Sequence, residues 1–185
     1  MRGAVILSLY GTVLVADLAV SLAGSTSAHT LLAAAGIPVA LMAAVYTAYL
    51  FAQARGRDLW QSPVLGPHLA VEAFLGGAGT LLPGAVVLYP SALHPLEVLL
   101  AASAAVHLLL RAAETTSLHP TAHARLAARE MTHGRYAWFF WAGALAIAVG
   151  VLAPFVGWWA GVVALAGLLP HEHSYVQAAQ AVPLA

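Results

Sequence analysis

The 185-residue sequence has no cysteine and no lysine, and only 8% of its residues are charged. Without cysteine the chain offers no thiolate to an iron-sulfur cluster, no attachment point for a covalent haem and no disulfide. Any cluster must therefore sit on a partner. Without lysine, seven arginines carry all the fixed positive charge, and seven acidic residues balance them to a formal net charge of zero. That balance excludes a polybasic nucleic-acid surface. Long polar stretches are missing too: the connecting segments are short, and none alternates polar with apolar as a barrel strand does. A separate soluble domain has nowhere to fit.

Apolar residues fill the space. The chain is 62% hydrophobic with a mean hydropathy of +0.86, far above the usage of a soluble domain, so its solvent is lipid. Each crossing of the hydrocarbon core takes about 20 apolar residues. The sequence therefore reads as all-α: a single polytopic membrane bundle over residues 1–185 with about six transmembrane helices. These are expected at about 4–23, 30–54, 67–88, 96–116, 136–153 and 156–177. Gly24 to Ser27 closes the first, Arg55 to Asp58 the second, and Tyr89-Pro90 with His94-Pro95 turns the third into the fourth. The 117–135 connection is expected to hold a short interfacial helix opened by Pro120. Trp138 to Trp141 and Trp158-Trp159 open the last two segments, as interfacial aromatic belts do. The N-terminus enters its apolar run without a convincing cleavage site, so the first segment is expected to stay as a helix.

In this order Arg2, Arg55, Arg57, Arg111, Arg125, Arg129 and Arg135 all lie on or beside one membrane face. The positive-inside rule makes that face cytoplasmic, with both termini on the same side.

Ionisable groups at membrane depth are costly and usually face the bundle interior, so each is a functional candidate. Asp17 lies mid-span, as either a buried structural carboxyl or part of a proton path. His68 and Glu72 are four apart on one helical face and form a candidate titrating pair. His107, Arg111 and Glu114, at offsets of four and three, make a polar stripe toward the arginine face, with Glu97 extending it the other way. Such stripes are the material of proton relays. Nine histidines raise the question of b-type haem, but no two segments carry the matched mid-membrane histidines of a di-haem bundle. His29, His119, His123 and His133 read as surface groups.

Several stretches agree, in order, with one known family. Tyr46 to Pro63, with its Arg57-Asp58-Leu59-Trp60 loop, Glu114 followed by His119-Pro120-Thr121, Gly134-Arg135-Tyr136, and Glu172 to Gln180 resemble the NrfD/PsrC (polysulfide reductase) membrane subunits. The resemblance covers nearly the whole chain. It implies a quinone-reactive anchor in a bacterial or archaeal cytoplasmic membrane, passing electrons between quinone or quinol and an iron-sulfur subunit that is attached to a molybdopterin catalytic subunit. It implies no haem, cluster or other metal in this chain.

On the superposed tryptophan loop, Tyr46 matches the family's quinone-contacting tyrosine, with His68 and Glu72 as candidate companions. Asp17, Glu97, His107, Arg111 and Glu114 would carry protons. Arg55, Arg57, Trp60, Arg125, Arg129 and Arg135 would dock the partner. Family members usually have eight or more helices, so the resemblance begins at the family's third. Two other readings stay open: a structural or proton-translocating subunit without its own quinone site, and a small solute transporter, although no internal repeat is evident.

Overall fold

A computed structural model describes residues 2–116 and 119–183. The side chain of Arg2 and residues 117–118 of the expected interfacial loop lie outside the described residues. The described chain is all-helical: α1 (Arg2–Leu22), α2 (Thr26–Ala52), α3 (Leu65–Leu88), α4 (Leu93–Thr116), α5 (Ala122–Thr132), α6 (Ala137–Val151), α7 (Ala153–Val156) and α8 (Trp159–Ala181).

Among the described residues four helical stretches are long and apolar enough to cross a bilayer: Gly3–Leu22, Thr26–Ala52, Leu65–Leu88 and Pro90–Thr116. A fifth is reached only if α5 and α6, bent by 68°, count as one span. The last two expected segments differ from their sequence reading for physical reasons. α6 stops after 15 residues at Val151, where the chain turns at Leu152 into the short α7, and the second half of α8 carries His171, Glu172 and His173.

The turns explain the boundaries. Gly24 takes a left-handed φ of 74° between α1 and α2, a conformation that costs glycine nothing. Pro90–Ala92 forms a 3₁₀ turn between α3 and α4. The expected interfacial helix exists, with Thr121 rather than Pro120 at its N-cap: its side chain accepts from the Ala124 N–H at 3.1 Å. α5 buries Ala124, Ala127, Ala128 and Met131 and exposes Arg125 and Arg129. Trp141 Nε1 donates to the Thr132 carbonyl at 3.0 Å and holds the α5–α6 corner.

Little of α1 and α2 is buried, and large apolar side chains such as Leu22, Leu31 and Phe155 lie outward. In lipid such a surface needs no cover. The packed body is α3, α4, α6 and α8, and small residues let its helices approach. A Cβ on Gly143 of α6 would meet the Gly167 carbonyl and His171 Cβ, both at 2.7 Å. One on Gly161 of α8 would meet the Gly79 carbonyl of α3 at 3.0 Å. α8 is thereby drawn in against both neighbours.

Two apolar clusters divide this body along its length. One joins the 53–64 loop, α5 and the end of α8 through Leu59, Trp60, Leu65, Met131, Tyr175 and Val182. The other, toward the α3–α4 turn, contains Leu75, Leu82, Leu100, Ile147 and Ala164. The buried histidines His68, His107 and His171 lie between them, with Arg111.

Candidate functional site: a buried histidine, glutamate and arginine cluster

Helical spacing builds the site. His68 and Glu72 share one face of α3; His107, Arg111 and Glu114 share one face of α4; His171 and Tyr175 share one face of α8. The three faces converge. His68 Nε2 and His107 Nδ1 are 2.9 Å apart. Glu72 Oε1 lies 3.2 Å from the first and 3.5 Å from the second.

Arg111, 2% exposed, organises the rest. Its Nη1 donates to Glu114 Oε2 at 2.8 Å, its Nη2 to Glu172 Oε1 at 2.9 Å and its Nε to His171 Nε2 at 3.1 Å. The guanidinium also lies over the Tyr175 ring, 4.4 Å from the centroid. Accepting from Arg111 at Nε2 requires the His171 proton to be on Nδ1, which lies 3.2 Å from the Phe140 carbonyl. Tyr175 in turn donates to the Leu59 carbonyl at 3.2 Å. A planar fork that engages partners at all three of its nitrogens explains why arginine rather than lysine suits this position.

The cluster has an outlet on one side. Glu114 lines a cavity of about 530 Å³ whose walls include Asp58, Ser62, His119, Thr121 and Ala124. Toward the opposite face Leu75, Leu82, Leu100 and Ala104 close the bundle. Glu97 lies beyond that layer, ten residues from His107 or about 15 Å along the helix, and faces His94 at 3.9 Å. The expected extension of the stripe through Glu97 is therefore interrupted by an apolar plug. Asp17 is also separate: on the α1–α2 hairpin it meets His29 Nδ1 at 2.8 Å, beside Ser21.

The expected quinone triad does not assemble. Tyr46 sits on the α1–α2 surface in a groove with Ile6, Leu41, Met42, Val45 and Tyr49. Its ring packs on Gly3, where an added Cβ would overlap it. His68 and Glu72 instead face α4, because Gly66 on a different face of α3 is the residue that meets Val45 and Ala48 of α2. The expected docking residues also divide. Arg55, Arg125, Arg129 and Arg135 are exposed. Arg57 caps α8, its Nη1 donating to the carbonyls of Ala179, Gln180 and Val182 at 3.0, 3.1 and 2.7 Å. Trp60 is 8% exposed and packs edge-on against Phe51, so its ring is core rather than surface.

Sequence reasoning gave no site role to His171, Glu172 or Tyr175. The signal was their spacing: positions 167, 171, 175 and 178 form one small-and-polar face that runs through the expected last helix and one residue past its end. It also missed that His68 and His107, on separate helices, meet. At 2.9 Å their facing nitrogens leave no gap for a haem macrocycle. They do complete a set of ligating groups, since donor atoms of His68, Glu72, His107 and Glu172 all lie within 4.8 Å of one another.

Compared with known proteins, the chain matches no family model, no curated protein and no solved structure.

Proposed function

We propose that this chain is a proton-exchanging membrane subunit of a quinone-linked oxidoreductase. The observation that carries the reading is the buried relay from the His68–His107–Glu72 group through Arg111 to Glu114 and the cavity beyond. Ionisable groups in such a chain are expensive in lipid and are kept where protons or ions move. In this reading Glu114 exchanges protons with the cavity, the histidines and Glu72 store them, and Arg111 fixes the carboxylates.

The quinone link rests on the NrfD/PsrC resemblance. Two of its motifs, far apart in sequence, are joined by Arg57 capping α8 and by Tyr175 reaching the Leu59 carbonyl. We extend the reading to six spans, with α6 and α8 as a closing hairpin and both termini on the cytoplasmic side of a bacterial or archaeal membrane. An iron-sulfur subunit with a molybdopterin partner would dock on the exposed arginines Arg55, Arg125, Arg129 and Arg135.

The test is gentle purification of the intact complex with metal analysis, followed by quinol-linked turnover of Glu114→Gln and Tyr46→Phe variants. Co-purifying iron and molybdenum, with turnover reduced in Glu114→Gln, are the expected results. Neither metal nor partner, or unchanged turnover in both variants, overturns the proposal.

Tyr46 packs against α1 while His68 and Glu72 face α4, which favours a second reading, in which the chain carries protons but no quinone of its own. A quinol analogue that fails to bind the complex, while Glu114→Gln still impairs proton exchange, selects it.

A further inference from the structure

We propose that His68, Glu72, His107 and Glu172 form a site for one divalent transition-metal ion of the zinc class. This goes beyond the proton-exchange reading and does not depend on it, because it concerns what the cluster binds rather than which reaction it serves.

Geometry comes first. Four donor atoms from three helices lie within 4.8 Å of one another. Zinc binds imidazole nitrogen and carboxylate oxygen at about 2.0–2.2 Å, so neighbouring ligands around a tetrahedral ion sit roughly 3.3–3.5 Å apart. Three of the donors stand close to that spacing: His68 Nε2 and His107 Nδ1 are 2.9 Å apart, a few tenths of an ångström inside it, and Glu72 Oε1 is 3.2 and 3.5 Å from them. Glu172 is the fourth, with a carboxylate oxygen within 4.8 Å of the other three donors.

The donors also suit an ion of this class. Two imidazoles with two carboxylates are a borderline set, matching Zn²⁺, Co²⁺, Mn²⁺ or Fe²⁺ better than soft Cu⁺ or hard Ca²⁺. Glu72 Oε1 is buried and accepts no hydrogen bond, although two ring nitrogens converge on it. A buried acceptor in that condition is costly unless an ion or proton is supplied. An outer shell is in place: Arg111 donates to Glu172 Oε1 at 2.9 Å and leaves the second carboxylate oxygen for the ion.

Charge gives an independent argument. Glu72, Glu114 and Glu172 surround the single guanidinium of Arg111. With all three ionised, two negative charges are uncompensated at membrane depth, where unpaired charge is strongly disfavoured. One divalent cation removes that imbalance. Two protons do the same, so ion and protons compete for the cluster, and the cavity at Glu114 is the route by which either enters.

The test uses the purified metal-free full-length chain in detergent. Cobalt is titrated and followed by its visible absorption, and zinc by equilibrium binding. The expected result is one ion per chain with the cobalt spectrum of a low-coordinate nitrogen and oxygen site. His107→Ala and Glu172→Gln should each weaken binding by roughly tenfold or more. His94→Ala and His133→Ala, whose histidines are exposed and remote from the cluster, should bind as the unsubstituted chain does. Should His107→Ala fail to fold, zinc X-ray absorption of the unsubstituted protein decides, with two imidazoles in the first shell expected. Absence of binding to the unsubstituted chain overturns the site, as do binding that persists in a folded His107→Ala, binding lost in the surface variants, or a shell without histidine.

Discussion

Arg111 is the residue whose replacement tests the most of this picture at once. Its guanidinium meets Glu114 and Glu172 at 2.8 and 2.9 Å, donates to His171 at 3.1 Å and covers the Tyr175 ring. Arg111→Met keeps an unbranched apolar stem but removes the guanidinium and its charge. Removing one partner of a buried ion pair costs about 3–5 kcal/mol, because the remaining charge stays in a poor solvent. Most of that cost falls on Glu114, which is 4% exposed; Glu172, at 32%, is partly screened and contributes less. We expect a net loss of about 4 kcal/mol. At about 2–4 °C per kcal/mol for a chain of this size, that lowers the melting temperature by roughly 8–16 °C.

The assay is thermal unfolding in mild detergent, followed by helical circular dichroism. A second substitution separates charge from shape: with Glu114→Gln added to Arg111→Met, the loss should shrink by roughly half, since the stranded carboxylate is gone. Arg111→Lys should fall between the two, because an ammonium keeps the charge but cannot reach two carboxylates and a histidine in one plane. If Arg111→Met melts within about 2 °C of the unsubstituted chain, or if Glu114→Gln is equally harmful with and without Arg111, the cluster is not held by this guanidinium.

The capping role of Arg57 predicts that Arg57→Ala frays α8 at its C-terminal end; three carbonyls lose a charged donor. At about 1.5–3 kcal/mol, hydrogen exchange at residues 177–182 should rise roughly ten- to hundredfold. Gly143→Leu should prevent the α6–α8 approach, since even a Cβ would lie 2.7 Å from the Gly167 carbonyl and His171 Cβ, whereas Gly76→Leu, where an added Cβ meets nothing, should fold and melt normally. Size-exclusion profile and melting temperature distinguish the two. Leu100→Asn, in the plug and fully buried, should admit water beside His107 and raise passive proton leakage in liposomes, while Leu109→Asn, 69% exposed, should leave leakage near that of the unsubstituted chain.

The sequence makes the membrane helices and the α4 stripe legible because both are local. Hydropathy is summed over one segment, and His107, Arg111 and Glu114 share a face by helical period alone. What it leaves hidden depends on which faces meet. His68 reads equally well as a companion of Tyr46 or of His107, and the choice is made by Gly66, which turns a different face of α3 toward α2. His171 and Tyr175 join the site because Gly143 and Gly161 admit α8 to the centre, a packing fact that spacing within α8 cannot express. Trp60 and Arg57 looked like partner-facing residues because an aromatic and a cation in a short loop usually are. In the fold the loop turns inward, and α8 supplies both the cover for the ring and the carbonyls for the cation.

The position of the plug limits what the cluster can do. The polar layer is open toward the loop face through Glu114, and Leu75, Leu82 and Leu100 close it on the other side with essentially no exposed surface. A proton or metal ion that reaches His107 therefore leaves by the route it entered unless the helices repack. A solute transporter needs a second opening, so this arrangement weighs against that reading. It fits a subunit whose protons are consumed or released on the loop side, where the exposed arginines would also hold a partner. Under that reading the plug has the same importance as the relay. Without it, the ionisable groups that make the chemistry possible would become a conducting path across the membrane, and the proton gradient would dissipate through the subunit meant to work beside it.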